Sequence, residues 1–303
     1  MHEQGFTDPD FGSLRAAVSD WIRAAGPCGY FHVGDLQHWL QGLPARGPVS
    51  EAVRIWDDGA GPLAIALCGL FGEAFQVLVA PHLRGTPTED AFLLAAEART
   101  RRLLRAGGDA ETVPNIDVYA CDQVRRARLE RLGFERYRVW GYLAERDLQA
   151  LPECGPPAGY RLILATAEQG EDLARVRREA FGEAWPPGQY RRHVLEGPGA
   201  DQTRDVAAVD ARGEITALAT IHLDRVTGVG LFEPVATRPA FQRRGLARAV
   251  LAYGLQIMAE HGLTTACVGY DATNAAAGAL YAGLGFAVAH ETLGYRRGDK
   301  QRV

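Results

Sequence analysis

The sequence predicts an α/β fold in which two similar units follow each other, each with a mixed, mostly antiparallel sheet flanked by helices. The chain has 303 residues, enough for two domains of about 150 residues each. Strands and helices alternate in the same order in both halves. Residues 151–159, rich in proline and glycine, suit neither a helix nor a central strand. We therefore expect domains at 1–150 and 160–303, joined by this linker.

An internal repeat supports the division into two units. Leu132-Gly133-Phe134 recurs as Leu284-Gly285-Phe286, and at the same spacing Asp122 corresponds to Asn274. The two copies are offset by 152 residues (284 − 132), which is far too long for the repeat of a solenoid. The two halves are therefore expected to be copies of one fold.

The first half begins with a helix, because Phe11, Leu14 and Val18 have helical spacing. Turn-rich segments then separate short apolar runs, which predicts strands. In order, we expect a helix at 11–25, strands at 50–56, 63–70 and 74–80, a helix at 88–106, a strand at 115–120, a helix at 123–132 and a strand at 134–144.

The second half repeats this order. We expect a strand at 160–165, helical segments at 169–181 and 190–195, and strands at 205–210, 215–223 and 229–237. A long helix at 242–261, a strand at 264–270, a helix at 274–284 and a last strand at 286–295 follow.

Composition excludes several classes of function. The net charge of −4 provides no basic surface for nucleic acid, and the longest apolar run, 63–71, is too short to span a bilayer. The five cysteines are odd in number, scattered and without a C-x-x-C motif. This pattern argues against a disulfide framework or a zinc site and favours a reducing compartment. We expect a cytoplasmic protein, either a monomer or a homodimer.

The segment before the long helix of the second half indicates an anion site. Arg243 and Arg244 place two cations where the helix dipole is already positive. A bound anion would resolve this conflict, since backbone N–H groups and both guanidinium groups could bind it. Gly245 would allow the anion to approach the backbone. The alternative is a solvated arginine pair beside a loop glycine.

At this point the sequence resembles the GNAT superfamily of acyl-CoA-dependent N-acetyltransferases. Gln242–Ala247 matches the pyrophosphate loop of the family, Q/R-x-x-G-x-G/A, with alanine in the last position. Asn274, Tyr281 and Leu284-Gly285-Phe286 match its second signature. The clear match covers roughly residues 205–295. The resemblance implies transfer of an acetyl group from acetyl-CoA to a primary amine by direct attack, without a metal.

The resemblance also implies where CoA binds. In this family two strands diverge and the pantetheine arm lies between them, and Pro234 marks such a departure from strand pairing. Tyr281 matches the general acid that protonates the leaving thiolate, and Asn274 is also a candidate N-cap. The expected cofactor contacts are Val235, Ala236, Thr237, Gln242, Arg243, Arg244, Gly245, Leu246, Ala247, Asn274 and Tyr281.

Glu233 is the candidate general base, because a carboxylate within an apolar strand is costly to bury without a function. It shares one strand face with Val235 and Thr237. The alternatives are a carboxylate paired with an arginine or one that only binds the substrate. His222 and Asp224 are reserve candidates. Trp185, Tyr190 and His193 lie where the family closes its acceptor pocket, with ordinary packing as the alternative.

The first half departs from the family pattern. Arg84-Gly85 is a remnant of the loop, but Glu89 and Asp90 would repel a pyrophosphate. Leu129 stands at the position that corresponds to Tyr281, the expected proton donor. We therefore expect one active site, in the second half, with acetyl-CoA and a small amine as partners. Two alternatives stay open: a non-catalytic CoA-binding sensor, and a tandem enzyme with both lobes active, resembling mycothiol synthase. The acceptor cannot be identified from the sequence.

Overall fold

All strands among the described residues join one twelve-stranded sheet. The computed structural model describes residues 1–42, 48–105, 112–153, 155–183 and 185–298. Within them the sheet has the order β1-β2-β3-β4-β5-β12-β6-β11-β10-β9-β8-β7. Helices cover both faces of this sheet.

The first half contains six strands and five helices among the described residues. They are β1 (His2–Gly5), α1 (Phe11–Ala25), α2 (Val33–Gly42), α3 (Val49–Ala52), β2 (Val53–Asp57), β3 (Pro62–Leu70), β4 (Ala74–Val79), α4 (Pro87–Arg105), β5 (Asn115–Tyr119), α5 (Gln123–Arg131) and β6 (Glu135–Asp147).

The second half follows the same plan. Its elements are β7 (Tyr160–Leu164), α6 (Gly170–Phe181), a π-helical turn (Arg191–Leu195), β8 (Thr203–Asp210), β9 (Ile215–Asp224), β10 (Val229–Thr237), α7 (Leu246–Glu260), β11 (Thr265–Asp271), α8 (Ala275–Ala282) and β12 (Ala287–Arg296). Both halves also carry a short 3-10 turn after the fourth strand, at Pro81–Leu83 and Pro239–Phe241.

The two halves exchange their last strands. β12, from the second half, pairs antiparallel with β5 and with β6, both from the first half. β6 in turn pairs antiparallel with β11 of the second half. The sheet therefore runs without interruption from one half into the other, and the seam between them is made of hydrogen-bonded strands.

Successive side chains along a strand point to opposite faces of the sheet, and each face carries an apolar core. In β3, Ile65 and Leu67 pack with α1 and α2, whereas Ala64 and Ala66 pack with α4. The second half is layered in the same way, with α7 on one face and α6 on the other. The predicted mixed α/β class with flanking helices is confirmed.

The structure differs from the sequence prediction in several places. β1 was not predicted, and the short helix α3 (Val49–Ala52) occupies the start of the strand expected at 50–56. α2 was not predicted, although Val33, Leu36 and Leu40 are fully or almost fully buried. α7 begins at Leu246, not at residue 242, because residues 242–245 form a turn. Cys28 and Cys121 form a disulfide, with their Cα atoms 6.2 Å apart, so the argument against disulfides was wrong for this pair.

The sequence did not predict this disulfide because Cys28 and Cys121 are separated by 93 residues, and no local spacing of cysteines indicates the pairing. Cys68 and Cys267 are buried free thiols, while Cys154 lies outside the described residues. Among those residues, we find no helix that is both long and apolar enough to cross a membrane.

We predict that residues 160–303 do not fold as an independent unit. Without the first half, β12 loses both partner strands and β11 loses β6, so that three strand edges become exposed. We expect aggregation or loss of cooperative thermal unfolding, measured by size-exclusion chromatography and circular dichroism. Co-expression of 1–159 with 160–303 as separate chains should restore a folded complex. A monomeric, cooperatively folding 160–303 fragment would contradict this prediction.

Candidate active site

The centre of the second half is a gap between β10 and β11. The parallel pairing of these strands extends from Val229↔Thr265 to Phe232↔Val268. Beyond Phe232 a β-bulge interrupts the β10 register, and Val235 to Thr237 pair only with β9 among the described strands. Pro234 lies at the point of divergence, as its lack of an N–H requires. The gap leaves one edge of β10 available to a ligand.

Thr237 adds an unsatisfied polar atom at this edge. Its Oγ1 is buried and has no hydrogen-bond partner in the described structure. An unpaired buried hydroxyl is unfavourable, so a polar ligand would stabilise it. The divergent strand edge and this hydroxyl together fit the amide-bearing pantetheine arm of CoA.

The turn after β10 has the backbone of an anion site. Arg243 has φ of +63° and Gly245 has φ of +79°. A left-handed conformation is uncommon for a residue with a side chain, and turns of this kind before a helix form concave sets of N–H groups that bind anions. The fifteen-residue α7 starts immediately afterwards, with Gly245 as N-cap. Gly245 is required here for its backbone conformation.

The side chains of the turn are accessible, with one exception. Gln242, Arg243 and Arg244 are exposed. Arg244 donates to the Tyr160 hydroxyl at 3.1 Å and to the Ala240 carbonyl at 3.1 Å, so it lies along the turn. Leu246 is 1% exposed and belongs to the core, which restricts any role in anion binding to its backbone N–H.

Asn274 and Tyr281 lie at the two ends of α8. The Asn274 side chain accepts a hydrogen bond from Ala277 N at 3.1 Å, so its N-cap role is confirmed. Tyr281 is buried, with its ring 5.6 Å from that of Tyr270 and 6.0 Å from that of Phe286. Burial raises the pKa of the Tyr281 phenol, which keeps it protonated at neutral pH.

Glu233 lies at the divergence of the two strands and points into a cavity. Its Oε1 is 3.4 Å from Nε2 of His38, and its side chain is 27% exposed. Burial raises the pKa of Glu233 to about 7. Among the described residues no arginine forms an ion pair with Glu233; the paired side chain is that of His38, from the other half.

The cavity has a volume of about 450 Å³ and lies between the two halves. The first half contributes walls from α2, β5 and β6, and the second half contributes walls from β10, β11 and β12. Its aromatic lining consists of Phe31, Trp39, Phe71, Tyr119, Trp140, Tyr142 and Tyr270. A cavity of this size and composition is typical of a site for a small organic molecule.

Carboxyl groups dominate the polar lining of the cavity. Asp35 and Asp117 join Glu233 there, and burial raises the pKa of Asp35 well above its ordinary value and that of Asp117 to about 6. Arg138 also lines the cavity, but its guanidinium is 3.0 Å from Asp271 and stacks on Trp140. The cavity therefore favours a cationic ligand.

The remaining candidates from the sequence have other positions. His222 lies behind Glu233, with Nε2 2.8 Å from the Glu233 carbonyl oxygen. Asp224 accepts hydrogen bonds from Ser19 and Thr227, which is a structural role. Trp185 and Tyr190 are core residues packed against each other, and His193 lines a different cavity.

The equivalent gap in the first half is filled by the side chains of the protein itself. β4 and β5 pair only at Phe75↔Asn115, so they diverge as β10 and β11 do. Arg125 donates from both terminal nitrogens to the Val77 carbonyl at 3.0 Å, and the Tyr30 hydroxyl donates to the Val79 carbonyl at 2.7 Å. The strand edge that would bind pantetheine is already satisfied.

A carboxylate occupies the anion position of the first half. Gly85, with φ of +77°, donates its N–H to Oε2 of Glu89 at 2.5 Å, and Oε1 of Glu89 accepts from Arg125 at 2.5 Å. Glu89 is fully buried. This geometry is consistent with the expectation that Glu89 would repel a pyrophosphate. Leu129, at the position that corresponds to Tyr281, is also fully buried and has no proton to donate.

The sequence analysis missed His38, Asp35 and Asp117. Asp35 and His38 lie on the unpredicted α2, and their distance in sequence from Glu233 concealed their proximity to it. Asp117 has φ of +52°, a left-handed conformation that sequence does not reveal. The described residues contain no cluster of three or more potential metal ligands.

Comparison with known proteins places this geometry in a family. The profile of the acetyltransferase (GNAT) family matches residues 170–286. A mycothiol acetyltransferase of Streptomyces avermitilis is 34% identical over 266 residues, covering 84% of this chain and 83% of that protein. A mycothiol acetyltransferase of Nocardioides sp. is 28% identical over 311 residues, covering 96% and 100%.

Solved structures share the fold over the whole chain. A tandem GNAT protein from the clavulanic acid biosynthesis pathway has a TM-score of 0.62 at 16% identity and covers 98% of both chains. A GCN5-related N-acetyltransferase from Sphaerobacter thermophilus has a TM-score of 0.62 at 17% identity, covering 98% of this chain and 95% of that one. The resemblance seen in the sequence is confirmed, and the chain belongs to the acetyltransferase (GNAT) family.

Proposed function

We propose that the protein transfers the acetyl group of acetyl-CoA to the amino group of a small molecule held in the cavity between its two halves. The observation that carries this proposal is the position of Glu233. Its carboxyl, with a pKa raised to about 7, lies where the opened strand edge meets the cavity. A base with a pKa near the working pH is suited to accept a proton from an ammonium group.

We infer that acetyl-CoA binds along the second half. The edge of Val235, Ala236 and Thr237 would pair with pantetheine, and the turn Gln242–Ala247 would bind the pyrophosphate. Asn274 and Tyr281 complete the contacts. A backbone N–H at the strand opening would polarise the thioester carbonyl, as in an oxyanion hole.

Glu233 and Tyr281 divide the proton chemistry in this proposal. Glu233 accepts one proton of the acceptor ammonium, the amine nitrogen attacks the thioester carbon, and the C–S bond breaks as the amide forms. The second proton of that nitrogen ends on the departing sulfur, which leaves as the free thiol of CoA. Tyr281 acts on the sulfur. Since its raised pKa exceeds that of a thiol, about 8.5, hydrogen-bond donation to the departing thiolate is favoured over complete proton loss from the phenol.

The lining of the cavity supports a cationic acceptor with an apolar or ring-shaped body. Asp117 and Glu233, with pKa values of about 6 and about 7, provide negative charge near neutral pH, and a bound cation would favour the ionised form of Asp35 as well. The aromatic side chains provide surfaces for cation–π contact and stacking. The relatives are named mycothiol acetyltransferases. We therefore propose the amine acceptor of those enzymes as the first compound to test, within a wider panel of primary amines.

We further propose that only the second half, 160–303, carries an active site, while 1–150 contributes walls of the cavity. The filled gap of the first half supports this view, because Glu89, Arg125 and Tyr30 already occupy the groups that CoA would need. The tandem enzyme with two working lobes and the non-catalytic sensor are the alternatives, which the next experiments distinguish.

We predict that Glu233→Gln and Tyr281→Phe each reduce kcat/KM for acetyl transfer by about 10²-fold or more, the usual contribution of general acid–base catalysis. CoA-thiol release with the amine panel measures this. The affinity for acetyl-CoA should change little in Glu233→Gln. Glu73→Gln, the same substitution at the exposed rim of the cavity, is the matched control. Full activity in both Glu233→Gln and Tyr281→Phe would refute the assigned roles.

We predict that kcat/KM rises with pH through about 7, because Glu233 must be deprotonated and burial raises its pKa to that value. Activity is lost as the pH falls through this range. A pH–rate profile of the unmodified enzyme measures the acidic limb. If the residual kcat/KM of Glu233→Gln rises with pH through the same range as that of the unmodified enzyme, another group is the base.

We predict that one CoA binds per chain and that Gly245→Asp abolishes binding. Aspartate introduces a negative charge into the anion turn at a residue with φ of +79°. Isothermal titration calorimetry measures the stoichiometry. Two CoA per chain, or one that remains in Gly245→Asp, would show a working site in the first half. Tight binding without turnover of any amine would favour the sensor.

A further inference from the structure

Helix α2 reaches from the first half to the proposed base in the second. It packs against both β9 and β10. Gly34, next to the start of α2, approaches His222 so closely that a Cβ on it would lie 2.5 Å from Cβ of His222. The contact permits only glycine, so α2 is fixed directly against the residue behind Glu233.

His38 on α2 faces the carboxyl group of Glu233. Its Nε2 is 3.4 Å from Oε1, and its side chain is 15% exposed. Burial lowers the pKa of His38 well below its ordinary value, so the imidazole is neutral. A neutral imidazole with its proton on Nε2 acts as a donor towards the carboxylate and favours its charged form.

Gln37, the neighbouring residue of α2, starts a hydrogen-bond chain to the backbone of Glu233. Gln37 Nε2 is 2.7 Å from Thr203 Oγ1, which is 3.3 Å from His222 Nδ1, and His222 Nε2 is 2.8 Å from the Glu233 carbonyl oxygen. Gln37, Thr203 and His222 are 1%, 8% and 1% exposed.

The direction of this chain is determined by its two ends. The Glu233 carbonyl oxygen can only accept, so Nε2 of His222 carries the proton. Burial lowers the pKa of His222 to about 3, so Nδ1 has no proton and acts as an acceptor. The single proton of the Thr203 hydroxyl has two acceptors at 3.3 Å, His222 Nδ1 and the Gly199 carbonyl oxygen. The Thr203 oxygen then accepts from the Gln37 amide.

We propose that α2 is the positioning element of the base, with His38 orienting the carboxyl group of Glu233 and the Gln37–Thr203–His222 chain fixing its backbone carbonyl. His38, Gln37, Thr203 and His222 are positioning residues, since they act through Glu233. The inference rests on the proposed role of Glu233 as base. It assigns a function to the first half that does not depend on CoA: the half that has a filled cofactor site supplies the helix that holds the base.

The effect of His38 can be separated from those of the other charged groups around Glu233. From the packed elements, the titratable and charged groups that face Glu233 are Asp35 and His38 of α2, Asp117 of β5, Arg177 of α6, Glu183, His222 of β9 and Tyr281 of α8. Replacement of His38 alone leaves the others in place.

The test compares His38→Phe with His38→Gln. His38→Phe removes the donor, so the pKa of Glu233 rises and the acidic limb of the kcat/KM profile should move upward by about one pH unit. Activity at pH 7 should fall about 5-fold, because the ionised fraction of Glu233 drops from about one half to about one in eleven. His38→Gln retains an N–H donor and should restore most of the activity and the original limb. Unchanged limbs in both variants would overturn the proposal.

The chain to the backbone has its own test. Thr203→Val removes the hydroxyl that links Gln37 to His222 with little change in shape, and should lower kcat while leaving KM for acetyl-CoA unchanged. Gln41→Ala, on the same helix but outside the chain, is the control and should retain normal kinetics. Equal losses in Thr203→Val and Gln41→Ala would reduce α2 to a structural role and refute the proposal.

The tests distinguish this inference from the proposed function. Thermal unfolding of each variant identifies simple loss of folding. If Glu233→Gln is fully active, the proposed base fails and with it the inference. If Glu233→Gln is inactive but His38→Phe behaves as the unmodified enzyme at every pH, Glu233 remains the base and only the role of α2 fails.

Discussion

The insertion of β12 between β5 and β6 is the constraint on which the rest of the structure depends. Because each half receives its neighbour's last strand, the seam consists of backbone hydrogen bonds, which permit little sliding. The cavity lies at this seam and takes walls from both halves. Its geometry is therefore as rigid as the sheet itself, although it is formed by two units that resemble separate domains in sequence.

Much of the fold and part of the site could be predicted from local patterns. Alternation and helical periodicity located most elements to within a few residues, because they reflect the two faces of the sheet. The turn at Gln242–Gly245 was conspicuous because it violates the usual charge preference of a helix start. Asn274 and Tyr281 followed from their spacing relative to Leu284-Gly285-Phe286.

The rest depends on contacts between residues distant in sequence. No local pattern places His38 beside Glu233 or pairs Cys28 with Cys121. The strand exchange was equally hidden, because the sequence of a strand such as β6 or β12 does not reveal which strand it pairs with. α2 was not predicted, although Val33, Leu36 and Leu40 have helical spacing. The burial of its polar side chains Gln37 and His38 is explained only by contacts with the second half.

The buried Glu89 of the first half has a consequence for how this protein can evolve. Its carboxylate is held by Gly85 and Arg125, and loss of one partner of such a pair typically costs about 3–5 kcal/mol, since the other charge is left buried. Against a total stability of about 5–15 kcal/mol, every single step back to an open phosphate site is severely penalised. The pair would therefore make the proposed restriction of CoA binding to the second half difficult to reverse by single substitutions.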